Sequence, residues 1–156
     1  MESVFQYDIP VLHPLAVHFP LALILLAALA TWLWCLRGTT FWRRCALFLF
    51  TFGMGGGLFA YFTGEAMEEQ SEGTPIVEEL VEMHEEMALY TLIVTGVALV
   101  ALVVLPWWLE RRTAPKDSLN DPFIARIVVA LIALAAAVLV AWTAHIGGTM
   151  VWGVAA

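Results

Sequence analysis

Met87 to Leu109 reads MALYTLIVTGVALVALVVLPWWL, a run without a single charged residue. A helix rises about 1.5 Å per residue, so about 20 apolar residues cross the roughly 30 Å hydrocarbon core of a bilayer. This stretch therefore predicts a membrane-spanning helix. Three others match it: Leu15 to Leu36, Phe41 to Phe62 and Ile127 to Ile146. Only Arg43 and Arg44 bring charge inside the four, close to one end. A helix satisfies every backbone polar group within its own segment, which is what a spanning element needs. A β-barrel would show alternating strands of about ten residues, and none is present. The expected architecture is an all-α integral membrane protein. Residues 1–156 form one domain, a four-helix up-down bundle spanning at about 15–36, 41–62, 87–109 and 127–146.

Composition agrees. The 156 residues are 62% hydrophobic and 13% charged, with a mean hydropathy of +0.85. Soluble domains are about 45–50% apolar and roughly 25% charged. Cys35 and Cys45 are too few for a disulfide framework and lack C-x-x-C spacing, so they read as small apolar residues near a membrane edge. No internal repeat stands out.

Local signals mark the helix ends. Pro14 suits a first helical turn, and Pro20 predicts a bend in the first helix. Thr74-Pro75 reads as an N-cap with proline at the first helical position, so the third helix starts before its span, with amphipathic first turns. Gly147-Gly148 predicts a stop for the fourth helix. Trp32, Trp34, Trp42, Trp107 and Trp108 cluster toward one end of the spans and read as interfacial anchors.

Charge orients the bundle. Arg37, Arg43, Arg44, Arg111, Arg112, Lys116 and Arg126, all the Lys and Arg in the chain, fall on the side of the 1–2 and 3–4 loops. By the positive-inside rule that side is the cytoplasm, and both termini lie outside it. The other side carries eleven of the fourteen carboxylates, among them Glu65, Glu68, Glu69, Glu72, Glu78, Glu79, Glu82, Glu85 and Glu86. The N-terminus lacks a basic n-region and a small-residue cleavage site, so the first helix is expected to remain as a span.

The four histidines share one level of the membrane. His13 and His18 begin the first helix, His84 precedes the third span and His145 closes the fourth, all near the outer face. Ionisable groups at that depth are costly and mark functional sites, although a single interfacial histidine is more often a headgroup or capping contact. His13 and His18 lie about 140° apart round a regular helix and cannot both face one ion unless the prolines distort it. Ala133, Ala137 and Ala141 make a small-residue groove leading to His145, and Gly53, Gly57 and Gly64 share a stripe on the second helix. Such stripes usually mean close helix packing, but they also leave a slot for a flat cofactor. A haem b iron takes axial histidines from facing helices. A non-haem iron, copper or zinc site would add Glu65, Glu82, Glu85 or Glu86. Haem propionates would find no Lys or Arg on this side. The glutamates read as a solvated surface, or as a docking patch for a basic partner.

Leu12-His13-Pro14-Leu15-Ala16-Val17-His18-Phe19-Pro20 resembles the opening motif of the bacterial membrane family called domain of unknown function 2231. Thr63-Gly64-Glu65-Ala66-Met67-Glu68-Glu69, Glu82-Met83-His84-Glu85-Glu86 and His145-Ile146-Gly147-Gly148 running to Val151-Trp152-Gly153 are similar to its later motifs, in the right order. All four histidines fall inside these stretches. The opening motif is specific, and the glutamate and glycine stretches are weaker alone. Trp152 stands where a tyrosine is common. The family occurs beside Rieske and c-type cytochrome domains, so the resemblance implies a redox setting on the outer face. The chain ends soon after Trp152, so such a partner is expected to be a separate protein.

The reading these residues favour is a b-type cytochrome of the bacterial inner membrane. One or two haems near the outer face would pass electrons between the quinone pool and an extracytoplasmic carrier. His18, His84 and His145 are the foremost ligand candidates, with His13 the fourth. The alternatives are a non-haem site of His13, His18, His84, His145, Glu65 and Glu85, or a cofactor-free structural or assembly subunit. No catalytic residue is assigned and no nucleic-acid partner is expected. Lipid surrounds the spans, and Gly53-x-x-x-Gly57 is a motif that could join two bundles.

Overall fold

The computed structural model describes residues 9–68, 75–113 and 123–152, all of them helical but for the turn at Gly38-Thr39 and the single residue Val17. Helices run over Ile9–Ala16 (α1), His18–Arg37 (α2), Thr40–Glu68 (α3), Pro75–Thr113 (α4) and Phe123–Trp152 (α5). Val17 itself has helical torsions, and Val17 N–H to His13 O (3.1 Å) and Leu21 N–H to Val17 O (3.3 Å) carry the ladder across it. α1 and α2 are thus one span with a local fault between Pro14 and Pro20, as the two missing N–H groups require. Among the described residues, four stretches are long and apolar enough to cross a membrane: Leu12–Arg37, Thr40–Glu65, Glu79–Trp108 and Phe123–Met150. Among the described residues the protein is all-helical but for the turn at Gly38-Thr39 and Val17, with four spans. α2 packs on α3, α3 on α4, α4 on α5 and α5 back on α2, closing an up-down bundle.

The interior is built of small side chains. Ala27, Ala30, Ala46, Ala98, Ala133 and Ala136 are buried, while Leu29, Phe48, Val100 and Leu131 point outward. Lipid is as apolar as leucine, so helices associate through close approach of small residues and leave large ones to the lipid. Buried hydroxyls turn back to their own helix, as with Thr31 Oγ1 to the Ala27 carbonyl at 2.8 Å. Phe50 and Trp34 fill the centre. Trp34 is fully buried, which corrects its reading as an interfacial anchor; Trp107 and Trp108 are exposed as expected.

Three sequence features are used differently from their first reading. α5 runs through Gly147 and Gly148 to Trp152, so these glycines do not stop the helix. Gly53 and Gly57 face Ile24 and Leu92 inside the bundle, so this G-x-x-x-G packs helices of one chain. Along the proposed alanine groove, Ala133 is buried, Ala137 half-buried and Ala141 exposed, so the groove runs out of the interior before it reaches His145. Thr74, Glu69, Glu72 and Lys116 lie outside the described residues, as do the side chains of Glu68, Glu78, Arg111 and Arg112. Cys35 and Cys45 are free thiols.

The turn between α2 and α3 is held by Gly38, at φ +70°, whose N–H donates to the Trp34 carbonyl at 2.8 Å. Arg126 of α5 donates to the Cys35 carbonyl at 3.3 Å, setting a cation at the negative end of α2. A Cβ on Gly38 would lie 2.5 Å from Arg126 Nη1. Gly38→Ala therefore meets both a left-handed backbone, which costs about 1–2 kcal/mol without glycine, and a displaced guanidinium. Unfolding of the purified protein in mixed micelles should shift by at least that amount, and an unshifted transition would refute the account.

Candidate functional site

At the end of the bundle opposite that turn, two imidazoles meet. α1 carries His13 and α4 carries His84, and their ring centres are 6.3 Å apart with planes at 81°. Each ring lies against a glycine of a neighbouring helix. A Cβ on Gly64 of α3 would sit 3.1 Å from His13 Cε1, and a Cβ on Gly147 of α5 would sit 3.1 Å from His84 Cε1. The glycines expose helix backbone to the rings, and a Cβ at either would require its ring to give by a few tenths of an ångström. Gly64 of the sequence stripe and Gly147 of the expected helix stop are both imidazole seats.

The polar edges of the rings are set by backbone. His13 Nδ1 lies 2.9 Å from the Ala60 carbonyl and 3.2 Å from Thr63 Oγ1. The Thr63 hydroxyl itself donates to the Ala60 carbonyl at 2.9 Å and the Phe59 carbonyl at 3.2 Å. A carbonyl can only accept, so Nδ1 carries the proton and Nε2 keeps its lone pair. His84 Nδ1 is buried and closes no hydrogen bond, with the Thr143 carbonyl of α5 the acceptor beside the ring. Thr143 Oγ1 meets Thr91 Oγ1 at 3.1 Å, tying α5 to α4 one to two turns further in.

The other candidates lie elsewhere. His18 is exposed, and its Nδ1 is 2.6 Å from the Pro14 carbonyl, so this ring serves the faulted ladder of the first span. His145 is exposed beside Trp142, ring centres 5.6 Å apart. Glu65 is exposed at the end of α3. Glu85, next to His84, is half-buried and accepts from the Tyr61 hydroxyl at 2.9 Å. Among the described residues, no three of His, Cys, Asp and Glu gather as a metal-binding group. Ala60, Thr63, Tyr61 and Thr143 complete the surroundings, and no residue pattern of their own marks them in the sequence. Their signal is only that they stand one turn or less before a glycine, or opposite a histidine.

Chemically, the pair offers two imidazole nitrogens from two helices, at least one in the tautomer a metal ligand needs. Two imidazoles on opposite sides of one metal, each through a bond of about 2.0 Å, have ring centres roughly 6 Å apart. The observed separation is of that size.

A family model described as "Predicted membrane protein (DUF2231)" matches residues 9–156. No curated protein and no solved structure matches the chain.

Proposed function

The chain belongs to this DUF2231 family of membrane proteins, and we propose that it works there as a b-type cytochrome whose haem iron is held between His13 and His84. The observation that carries this reading is the isolated imidazole pair itself. A bare zinc or copper ion wants about four protein or water ligands, whereas a porphyrin supplies four nitrogens and leaves two axial positions. Two imidazoles on two helices, with no third metal-ligating side chain gathered beside them among the described residues, are the donor set a haem needs. The Nδ1 to Ala60 contact supports it, because ligating histidines hand their other N–H to a carbonyl or carboxylate. One pair implies one haem per chain. When bound, the haem would supply one-electron chemistry. His13 and His84 would hold its iron, the Ala60 carbonyl would fix the tautomer of His13, and the bound cofactor would lie at the acidic end of the bundle.

In this reading the histidine end faces away from the cytoplasm. Its glutamates favour a basic carrier such as a c-type cytochrome or a Rieske protein, with quinone as the partner in the membrane. Purified in detergent, the protein should show a Soret band, a reduced α band and about one haem per chain by pyridine haemochrome. A preparation expressed with ample haem supply that carries none would refute the cytochrome.

One observation favours a second reading. Glu85 follows His84 along α4 on an adjacent helix face, its carboxylate accepting from Tyr61, and a non-haem iron, copper or zinc ion would draw on it by turning that carboxylate away from Tyr61. About one metal ion per chain, without haem, would put this reading in place of the first.

A further inference from the structure

We infer that the chain is an internal duplication of one helical hairpin, and that each copy supplies one imidazole together with its own seat. The identity of the ligand rests on the bis-imidazole reading above; the equivalence of the two half-sites rests on geometry alone.

Moving the first span 71 positions along the chain lays His13 on His84. The same move lays buried Pro20, Ile24, Ala27 and Ala30 on buried Thr91, Thr95, Ala98 and Ala101. Moving α3 by 83 positions lays Gly64 on Gly147, and buried Ala46, Phe50 and Thr63 on buried Val129, Ala133 and Ile146. That second move also lays Arg43 on Arg126. The identical pairs are His13 with His84, Ala27 with Ala98, Ala30 with Ala101, Gly64 with Gly147 and Arg43 with Arg126, and most positions between them differ, so the repeat is faint as sequence similarity. It survives as burial at the paired positions and as the histidine–glycine contact.

The contact is the closest match. The Gly64 Cβ position lies 3.1 Å from His13 Cε1 and 3.4 Å from its Nδ1. The Gly147 position lies 3.1 and 3.5 Å from the same atoms of His84. Ala60, whose carbonyl faces His13 Nδ1 at 2.9 Å, falls on Thr143 of α5, while His84 Nδ1 is buried and closes no hydrogen bond, so the two half-sites match in their glycine seats and differ at this edge. The bundle order agrees, because exchanging the hairpins exchanges the α2–α5 contact with the α3–α4 contact. His18 falls on Leu89 and His145 on Phe62. Neither exposed histidine has a counterpart, and the site takes one imidazole from each half.

Gly64 and Gly147 are therefore equivalent positioning residues. Their test uses the full-length protein in detergent, with Gly55→Ala and Gly148→Ala as controls, since nothing lies within 4 Å of a Cβ at either control position. Without haem, Gly64→Ala and Gly147→Ala should each lower the thermal midpoint by a few degrees, and by similar amounts. The controls should leave it unchanged or raise it, as alanine is the better helix former. The loss from Gly64→Ala should vanish in a His13→Ala background and persist in His84→Ala. The loss from Gly147→Ala should do the reverse, because coupling is confined to groups in contact. With haemin as the probe, each variant should bind about tenfold more weakly than the parent, the scale of lost ligand support, and the two losses should agree within twofold. Seat variants no worse than controls, coupling across halves, or haemin loss in only one variant would overturn the duplication. A parent that binds no haemin removes the cytochrome reading, and the haem-free couplings then decide the duplication alone.

Discussion

Replacing His13 or His84 with alanine is expected to remove the haem spectrum of the purified protein, while His18→Ala and His145→Ala leave it at parental height. An iron held by two axial imidazoles loses half its protein ligation with either change, and here no third histidine is placed to substitute. His18 is turned to the Pro14 carbonyl and His145 lies exposed against Trp142. Insertion should survive in all four variants, since alanine is more favourable in a span than histidine. Haem per chain should therefore fall from about one to near zero without loss of membrane-inserted protein. Loss of the spectrum in His18→Ala or His145→Ala, with His13→Ala unaffected, would break the pairing. If all four variants keep the parent's spectrum and metal content, the histidines hold no cofactor.

The spans were legible because a bilayer imposes a crude demand, about 20 apolar residues at a stretch, and hydropathy alone answers it. The pairing was not, because it depends on rotation about helix axes. His13 and His18 share one helix, and only the fault between Pro14 and Pro20 decides which ring turns inward. The sequence ranked His13 last of four; the structure sets it opposite His84. Gly147 shows the same limit from the other direction. A glycine late in an apolar helix looks like a stop, yet here the helix continues and the missing side chain makes room for a ring on another helix. Trp34 misled for a related reason. Tryptophans gather at interfaces, but this one fills the interior among alanines, where a bundle of small residues needs bulk. Each of these features is decided by a contact between helices, which hydropathy and helix signals do not report.

Orientation gives the second all-or-none result: a C-terminal alkaline phosphatase fusion should be active, and a C-terminal green fluorescent protein fusion dark. Arg37, Arg43, Arg44 and Arg126 lie at the Gly38 end of the bundle, and His13 and His84 at the other. Arg111, Arg112 and Lys116 belong by sequence to the loop on the arginine side. Seven basic residues against none is a strong bias, since the Lys and Arg of short loops set which side stays in the cytoplasm. With an even number of spans both termini share a side, so one fusion site reports on the histidine end as well. Phosphatase activity with a dark fluorescent partner places the imidazole pair where a basic extracytoplasmic carrier can reach it. A bright fluorescent fusion would put the pair at the cytoplasmic surface. Electrons would then have to be exchanged with a soluble cytoplasmic donor, and both the outer-face carrier and the acidic docking surface would be lost with the orientation.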